Sequence, residues 1–143
     1  MTIREMTLDD LDQVMAIERE NFSVPWTETG FFSFLIRQDT LFLVAEEAGE
    51  IEGYCGAVMV PDEGDITNVS VSGRRRRRGT GTALVRELIR RAEASGVTKL
   101  YLEVRESNLA AIGLYESLGF QKEGVRRDYY EEPRENAVLM SRK

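Results

Sequence analysis

Glu103 and Tyr115, twelve positions apart, offer a carboxylate that can take a proton and a phenol that can give one. A third group with chemistry in it stands upstream: five consecutive arginines, residues 74–78, run straight into Gly79-Thr80-Gly81-Thr82. A strand-like stretch precedes this junction and a helical pattern follows it. Backbone N–H groups converge at a helix N-terminus, the helix dipole favours negative charge, and glycine lets a ligand approach without a Cβ in the way. These residues suit a phosphorylated ligand held at the junction and a proton transfer nearby.

Each feature also has a plainer use. An acid on the open face of a strand is often only solvated, and a tyrosine on the apolar side of a helix is usually core. An arginine run can be a solvated loop or a nucleic-acid patch. No aromatic platform is interleaved with the arginines, which argues against the nucleic-acid use. The P-loop pattern fails because no lysine follows Gly81. The dinucleotide fingerprint fails because position 84 is leucine. What survives is Arg-x-x-Gly-x-Gly, formed by Arg76, Gly79 and Gly81. Cys55 is a poor nucleophile, since the chain has no histidine to activate it.

The elements that must position these groups can be read from periodicity. A short strand at Thr2–Glu5 leads through Thr7-Leu8-Asp9-Asp10 into a helix with Leu11, Val14, Met15 and Phe22 near one face. Pro25-Trp26-Thr27-Glu28 opens a second helix, with Phe31, Phe32, Leu35 and Ile36 at helical spacing. Strands follow at residues 41–46, 51–60 and 65–71. The helix after Gly81 puts Leu84, Val85, Leu88, Ile89 and Ala92 on one stripe. In Lys99–Arg105, Leu100, Leu102 and Val104 alternate with Tyr101, Glu103 and Arg105. Ser107-Asn108 caps a short helix in which Ala111, Leu114, Tyr115 and Leu118 share a side, and Gly119 stands where a left-handed cap is wanted. Strands at residues 125–131 and 136–141 close the chain. The order β-α-α-β-β-β-α-β-α-β-β predicts one domain over residues 1–143, a mixed sheet with helices packed on it.

Composition narrows the function classes. The net charge of the 143-residue chain is −6, and without the arginine run 14 basic residues face 25 acidic ones. An acidic surface disfavours polyanionic partners and suits cationic substrates. With one cysteine no intramolecular disulfide can form, and with no histidine a zinc site of ordinary ligand type is not expected. No apolar stretch approaches membrane-spanning length. The expectation is a cytoplasmic protein with no metal, no nucleic-acid partner and no membrane association.

The motifs resemble those of the GNAT N-acetyltransferases. Asn68-Val69-Ser70-Val71 followed by Arg76 to Leu84 is similar to their cofactor motif. Residues 102–108 and 110–120, with Arg126-Arg127-Asp128-Tyr129-Tyr130, Pro25-Trp26 and residues 135–140, are similar to the ribosomal-protein-alanine acetyltransferases within that family. Ser72-Gly73 stands where Asp-Pro is commoner, Gly113 where alanine is usual, and Asp128 where asparagine is usual. The resemblance covers nearly the whole chain. It implies an α/β (α+β) GNAT fold: a mixed, mostly antiparallel twisted sheet of six to seven strands with about four helices. It also implies direct acetyl transfer from acetyl-CoA to the N-terminal α-amine of a ribosomal or other protein.

Glu103 would be the base and Tyr115 the acid. The cofactor would lie against Val69, Ser70 and Val71, with Arg77, Arg78, Gly79, Thr80, Gly81 and Thr82 around its pyrophosphate and Asn108 at its pantetheine arm or adenosine side. Two other readings fit the same residues: an acetyltransferase for lysine side chains, other N-termini or small amines, and a module that holds CoA without turnover.

Overall fold

The computed structural model describes residues 1–73 and 79–143. Strand β1 (Thr2–Glu5) is followed by a single 3-10 turn, Leu8–Asp10, which feeds directly into helix α1 (Leu11–Asn21). Arg4 grips this turn through two 2.8 Å hydrogen bonds to Asp10 and also reaches Glu46. That guanidinium holds the Asp10 carboxyl below its usual range. Helix α2 (Glu28–Leu35) starts at Thr27, whose hydroxyl accepts the Gly30 N–H at 3.0 Å. Then come β2 (Thr40–Glu47), β3 (Glu50–Val60), β4 (Glu63–Val71), α3 (Thr80–Ala94), β5 (Lys99–Arg105), α4 (Leu109–Ser117), β6 (Gln121–Glu131) and β7 (Arg134–Arg142).

The seven strands form one sheet in the order β1-β2-β3-β4-β5-β7-β6. Every pairing is antiparallel except β4 with β5. The expected fold class therefore stands, with seven strands and four α-helices among the described residues.

Two cores sandwich the sheet. On one face the α3 stripe of Leu84, Val85, Leu88, Ile89 and Ala92 packs with Ile112 and Tyr115 of α4 onto Leu43, Cys55, Leu100, Leu102 and Val104. On the other face α1 and α2 set Val14, Met15 and Phe31 against Phe42, Val44 and Tyr54. Alternate residues of β3 serve opposite cores: Cys55 and Ala57 one, Tyr54 the other. Gly56 lies on the Tyr54 side, and a Cβ there would fall 2.1 Å from the Phe42 ring. The glycine lets that ring lie flat on the sheet.

Several expectations shift. Phe22 is not on the buried face of α1; it ends the helix in an extended conformation and is exposed. In α2 only Phe31 is fully buried, while Phe32 and Ile36 point outward, because an eight-residue helix lying on a sheet buries one narrow stripe. Strand β6 begins at Gln121, before the expected residue 125; almost all of it is exposed, so it carries no apolar alternation to mark its start. Helix α3 begins at Thr80. Gly79 precedes it at φ +79°, a left-handed conformation that disfavours any side chain.

Candidate active site

The parallel pairing of β4 with β5 is short. It runs from Glu63 opposite Lys99 to Ile66 opposite Leu102, and then the strands part. β4 continues to Val71 paired only with β3, while β5 continues through Glu103 to Arg105 paired only with β7. The sheet thus opens in its middle, and Glu103 is the first β5 residue beyond the last rung.

A β-bulge sits at the same level. Ala57 pairs with Ile66 but Gly56 pairs with Asn68, so Thr67 is an extra residue on β4. Directly opposed residues point to the same face, so the bulge reverses the alternation of β4. Ile66 faces the α3 core. Beyond the bulge Val69 packs against that core, while Asn68 and Ser70 turn with Gly56 and Tyr54 toward the α1/α2 side. Glu103, opposite in phase to Leu102 and Val104, also faces the α1/α2 side.

On that side the opening is a cavity of ≈ 380 Å³ lined by Trp26, Asp65, Ile66, Thr67, Glu103, Tyr129 and Tyr130. Trp26 is held from below. The fully buried Glu18 of α1 accepts the Trp26 N–H at 2.8 Å and also a hydrogen bond from the Tyr54 hydroxyl. The indole stacks on Phe34, with ring centroids 4.9 Å apart.

Tyr129 and Tyr130 come from β6, whose register with β7 breaks between Arg126 and Tyr130. Asp128 sits inside that break at φ +51°, and its N–H donates to Asn136 Oδ1 at 3.0 Å. Asparagine and aspartate tolerate this conformation, so aspartate in place of the usual asparagine preserves the bulge. Arg105 lies over the Tyr130 ring at 4.2 Å.

The electrostatics centre on Glu103. Arg126 approaches its Oε1 at 3.8 Å, while its Oε2 is buried without a hydrogen-bond donor. Hydrogen bonding toward Glu103 raises the Tyr129 phenol above its ordinary range. Burial, followed by the charges of Glu103 and Glu63, raises Asp65. Tyr130 is pushed up to about 12, chiefly by burial and then by Glu103.

Tyr115 stands on the opposite face, buried in the α3 core with the Phe120 ring 5.8 Å away. Burial raises its phenol well above the ordinary range, and Tyr130 adds to the shift. Tyr130 thus feels Glu103 and in turn acts on Tyr115. Cys55 is fully buried, its thiol pushed up by desolvation, and it lies in the apolar core away from any base.

Of the expected cofactor residues, Val69, Ser70 and Val71 lie on the part of β4 that pairs with β3 and not with β5. Val69 and Val71 flank the parted edge of β4, half-buried. The Ser70 side chain is taken by Asn21, whose amide donates to Ser70 Oγ and to the Val71 carbonyl, at 2.5 and 2.9 Å. Ser70 thus has only backbone groups to offer a ligand.

Thr80 is buried with its hydroxyl toward Glu52, and Thr82 and Gly81 lie in the first turn of α3. A Cβ on Gly81 would come within 3.3 Å of Leu114, so the helix start is wedged against α4. Asn108 caps α4, its side-chain oxygen accepting the Ala111 N–H at 3.2 Å, which leaves its amide NH₂ for any ligand. Arg77 and Arg78 lie outside the described residues. Among the described residues no cluster of His, Cys, Asp or Glu is placed to hold a metal ion, and no helix is long and apolar enough to cross a membrane.

Trp26, Asp65, Thr67 and the Tyr129–Tyr130 pair gain their place at the cavity only in three dimensions. The tyrosine pair carried a signal: adjacent aromatics in a strand must face opposite ways unless a bulge turns them.

Comparison with known proteins gives the opening a chemical context. The sequence profile of the acetyltransferase (GNAT) family matches residues 11–120. The chain is 37% identical over 142 residues to the [ribosomal protein bS18]-alanine N-acetyltransferase of Escherichia coli (strain K12), covering 98% of this chain and 95% of that protein. It is 34% identical to an N-alpha-acetyltransferase of Sulfurisphaera tokodaii, covering 97% of this chain and 90% of that one. The crystal structure of the ribosomal-protein-S18-alanine N-acetyltransferase from Escherichia coli superposes with a TM-score of 0.91 over 99% of this chain and 92% of that one.

Proposed function

The chain belongs to the acetyltransferase (GNAT) family, and from that premise we propose that it transfers the acetyl group of acetyl-CoA to the N-terminal α-amine of a ribosomal protein beginning with alanine. The observation that carries this reading is the 37% identity, sustained over 98% of the chain, to the Escherichia coli protein of that activity. The acidic, aromatic-lined cavity supports it, because a peptide terminus brings a positive charge and little bulk. Such a substrate puts the enzyme in the cytoplasm with the ribosomes.

In this mechanism the parted edge of β4 takes the pantetheine arm of the co-substrate, and the first turn of α3 with Arg77 and Arg78 takes its pyrophosphate. Backbone N–H groups of residues 69–71 polarise the thioester carbonyl. Glu103 accepts the proton as the amine attacks. An α-amine, with a pKa of about 7.7–8.0, is partly neutral at pH 7.5 and asks less of a lone carboxylate than a lysine amine at about 10.4. Tyr115 donates to the departing thiolate. Its burial keeps the phenol protonated at every physiological pH, so it enters each turnover as a donor.

The test is incubation with acetyl-CoA and hexapeptides of defined N-terminus, followed by mass spectrometry. An alanyl peptide is expected to be acetylated at its terminus at least about tenfold faster than at an internal lysine. Its rate is expected to rise through about pH 7–8 as the amine deprotonates. A blocked peptide with one free lysine as the better substrate would replace the α-amine reading with a lysine one. Absence of thiol release with every amine would reduce the protein to a CoA-binding module.

A further inference from the structure

Among the described residues two buried side-chain oxygens have no donor within hydrogen-bond geometry, Glu103 Oε2 and Asn68 Oδ1, although the Tyr129 phenol lies close enough to Glu103 to be shifted by it. Buried acceptors of this kind are rare, because each forfeits the hydrogen bonds it had in water. Both occur at the same place in the fold. Ile66 and Leu102 form the last rung of the parallel pair; Glu103 is the next residue on β5, and Asn68 follows the bulged Thr67 on β4. The bulge turns Asn68 to the face that Glu103 occupies. A regular strand would have sent it into the α3 core.

Asn68 is 93% buried, and its cross-strand partner Gly56 lies under the Phe42 ring, on which Trp26 packs. The two orphaned oxygens belong to strand segments that part beyond the last rung, and Glu103 and Thr67, the chain neighbour of Asn68, line the cavity with Trp26.

Two unfilled acceptors call for a ligand with at least two donors. The thioester carbonyl is itself an acceptor and cannot fill them. A primary amine can, since a terminal ammonium carries three N–H bonds on one nitrogen and a neutral terminal amine two. We propose that Asn68 is an acceptor-binding residue: its Oδ1 and Glu103 Oε2 take hydrogen bonds from the terminal amine of the substrate and aim that nitrogen into the opening. The inference rests on the reading of the acceptor as a primary α-amine. It adds a division of labour. Glu103 changes charge during the reaction, whereas the carboxamide of Asn68 cannot, so the nitrogen stays held after its proton has left. The arrangement also selects against a terminus with no N–H to give.

The experiment compares two ligands on the CoA-loaded protein by calorimetric titration. One is an alanyl hexapeptide. The other is the same peptide with propionyl in place of alanyl, which keeps the shape and lacks the amine. Wild-type protein is expected to prefer the alanyl peptide by roughly tenfold or more. Asn68→Leu should cut that preference by about fivefold to tenfold, leaving CoA and propionyl-peptide affinity unchanged. Asn68→Asp keeps an acceptor oxygen and should keep the preference.

An Asn68→Leu protein with the wild-type preference overturns the proposal. So does loss of the alanyl peptide, the propionyl peptide and CoA together in both variants, which would make Asn68 a packing residue. Wild-type protein with no amine preference overturns the α-amine reading itself, and this inference with it.

Discussion

The two faces of the sheet are built on opposite principles. On the α3/α4 face nineteen buried hydrophobic residues make one continuous core, with the buried Thr80–Glu52 pair at the start of α3, and even its thiol and its phenol are sunk in apolar surroundings. On the α1/α2 face the core is smaller and shares its space with buried polar groups: Glu18 bonded to Tyr54 and Trp26, Ser70 bonded to Asn21, and the two oxygens with no donor. The first face carries most of the fold's apolar burial. The second tolerates buried polar groups beside the proposed acceptor site. The proposed chemistry lies where the faces meet, at the gap between β4 and β5.

The sharpest way to break this contrast is Leu88→Ala in the closed core. Leu88 is fully buried, so its truncation should cost about 2–5 kcal/mol of stability, seen as a lower denaturation midpoint. Turnover per folded molecule should stay near the wild-type value; a matching loss of turnover would show that the closed face is not merely a scaffold. Next come Glu103→Gln and Tyr115→Phe. Each should lower kcat by roughly 10²-fold with little change in acetyl-CoA affinity or in melting temperature. Wild-type turnover in either variant would remove that residue from the proton transfers.

The smallest effect belongs to Glu18→Gln. A carboxamide leaves the Tyr54 hydroxyl and the Trp26 N–H sharing one acceptor, at a cost of about 1–2 kcal/mol. Because Trp26 lines the cavity, the KM for peptide should rise several-fold while that for acetyl-CoA stays put. Equal changes in both would mean that Glu18 supports the whole sheet and not the acceptor side.

What could be read from the sequence follows the same division. The closed face is periodic, so the α3 stripe and the alternation of Leu100, Leu102 and Val104 are visible in the chain and recur in the structure. Glu103 and Tyr115 could be singled out because each sits on a regular element whose facing is set by counting. The acceptor side could not be read this way. The Thr67 bulge and the irregular stretch around Asp128 break the period of two on which such counting depends, and Asn68 and Tyr129 gain their places through them. Trp26 is positioned by a carboxylate eight residues earlier, a contact with no local pattern. Phe22, Phe32 and Ile36 show the converse error: helical spacing marks a candidate stripe, but the partner surface decides how wide a stripe is buried.

The four rungs between β4 and β5 also have a consequence for how stable the molecule is in use. Where the rungs stop, residues 67–71 form a strand edge inside the protein, with β3 on one side and no strand on the other. Exposed edges invite pairing with other chains, and proteins usually cover or interrupt them. Here the edge is interior, between β3 and the diverging β5. A ligand bound along that edge, as proposed for the co-substrate, would act as a removable strand between two half-sheets otherwise joined over a short seam. Cohesion across that seam then varies with ligand concentration: each tenfold rise above the dissociation constant adds about 1.4 kcal/mol. On that proposal the protein would be firmest when supplied with the molecule it consumes, and loosest after it has let the product go.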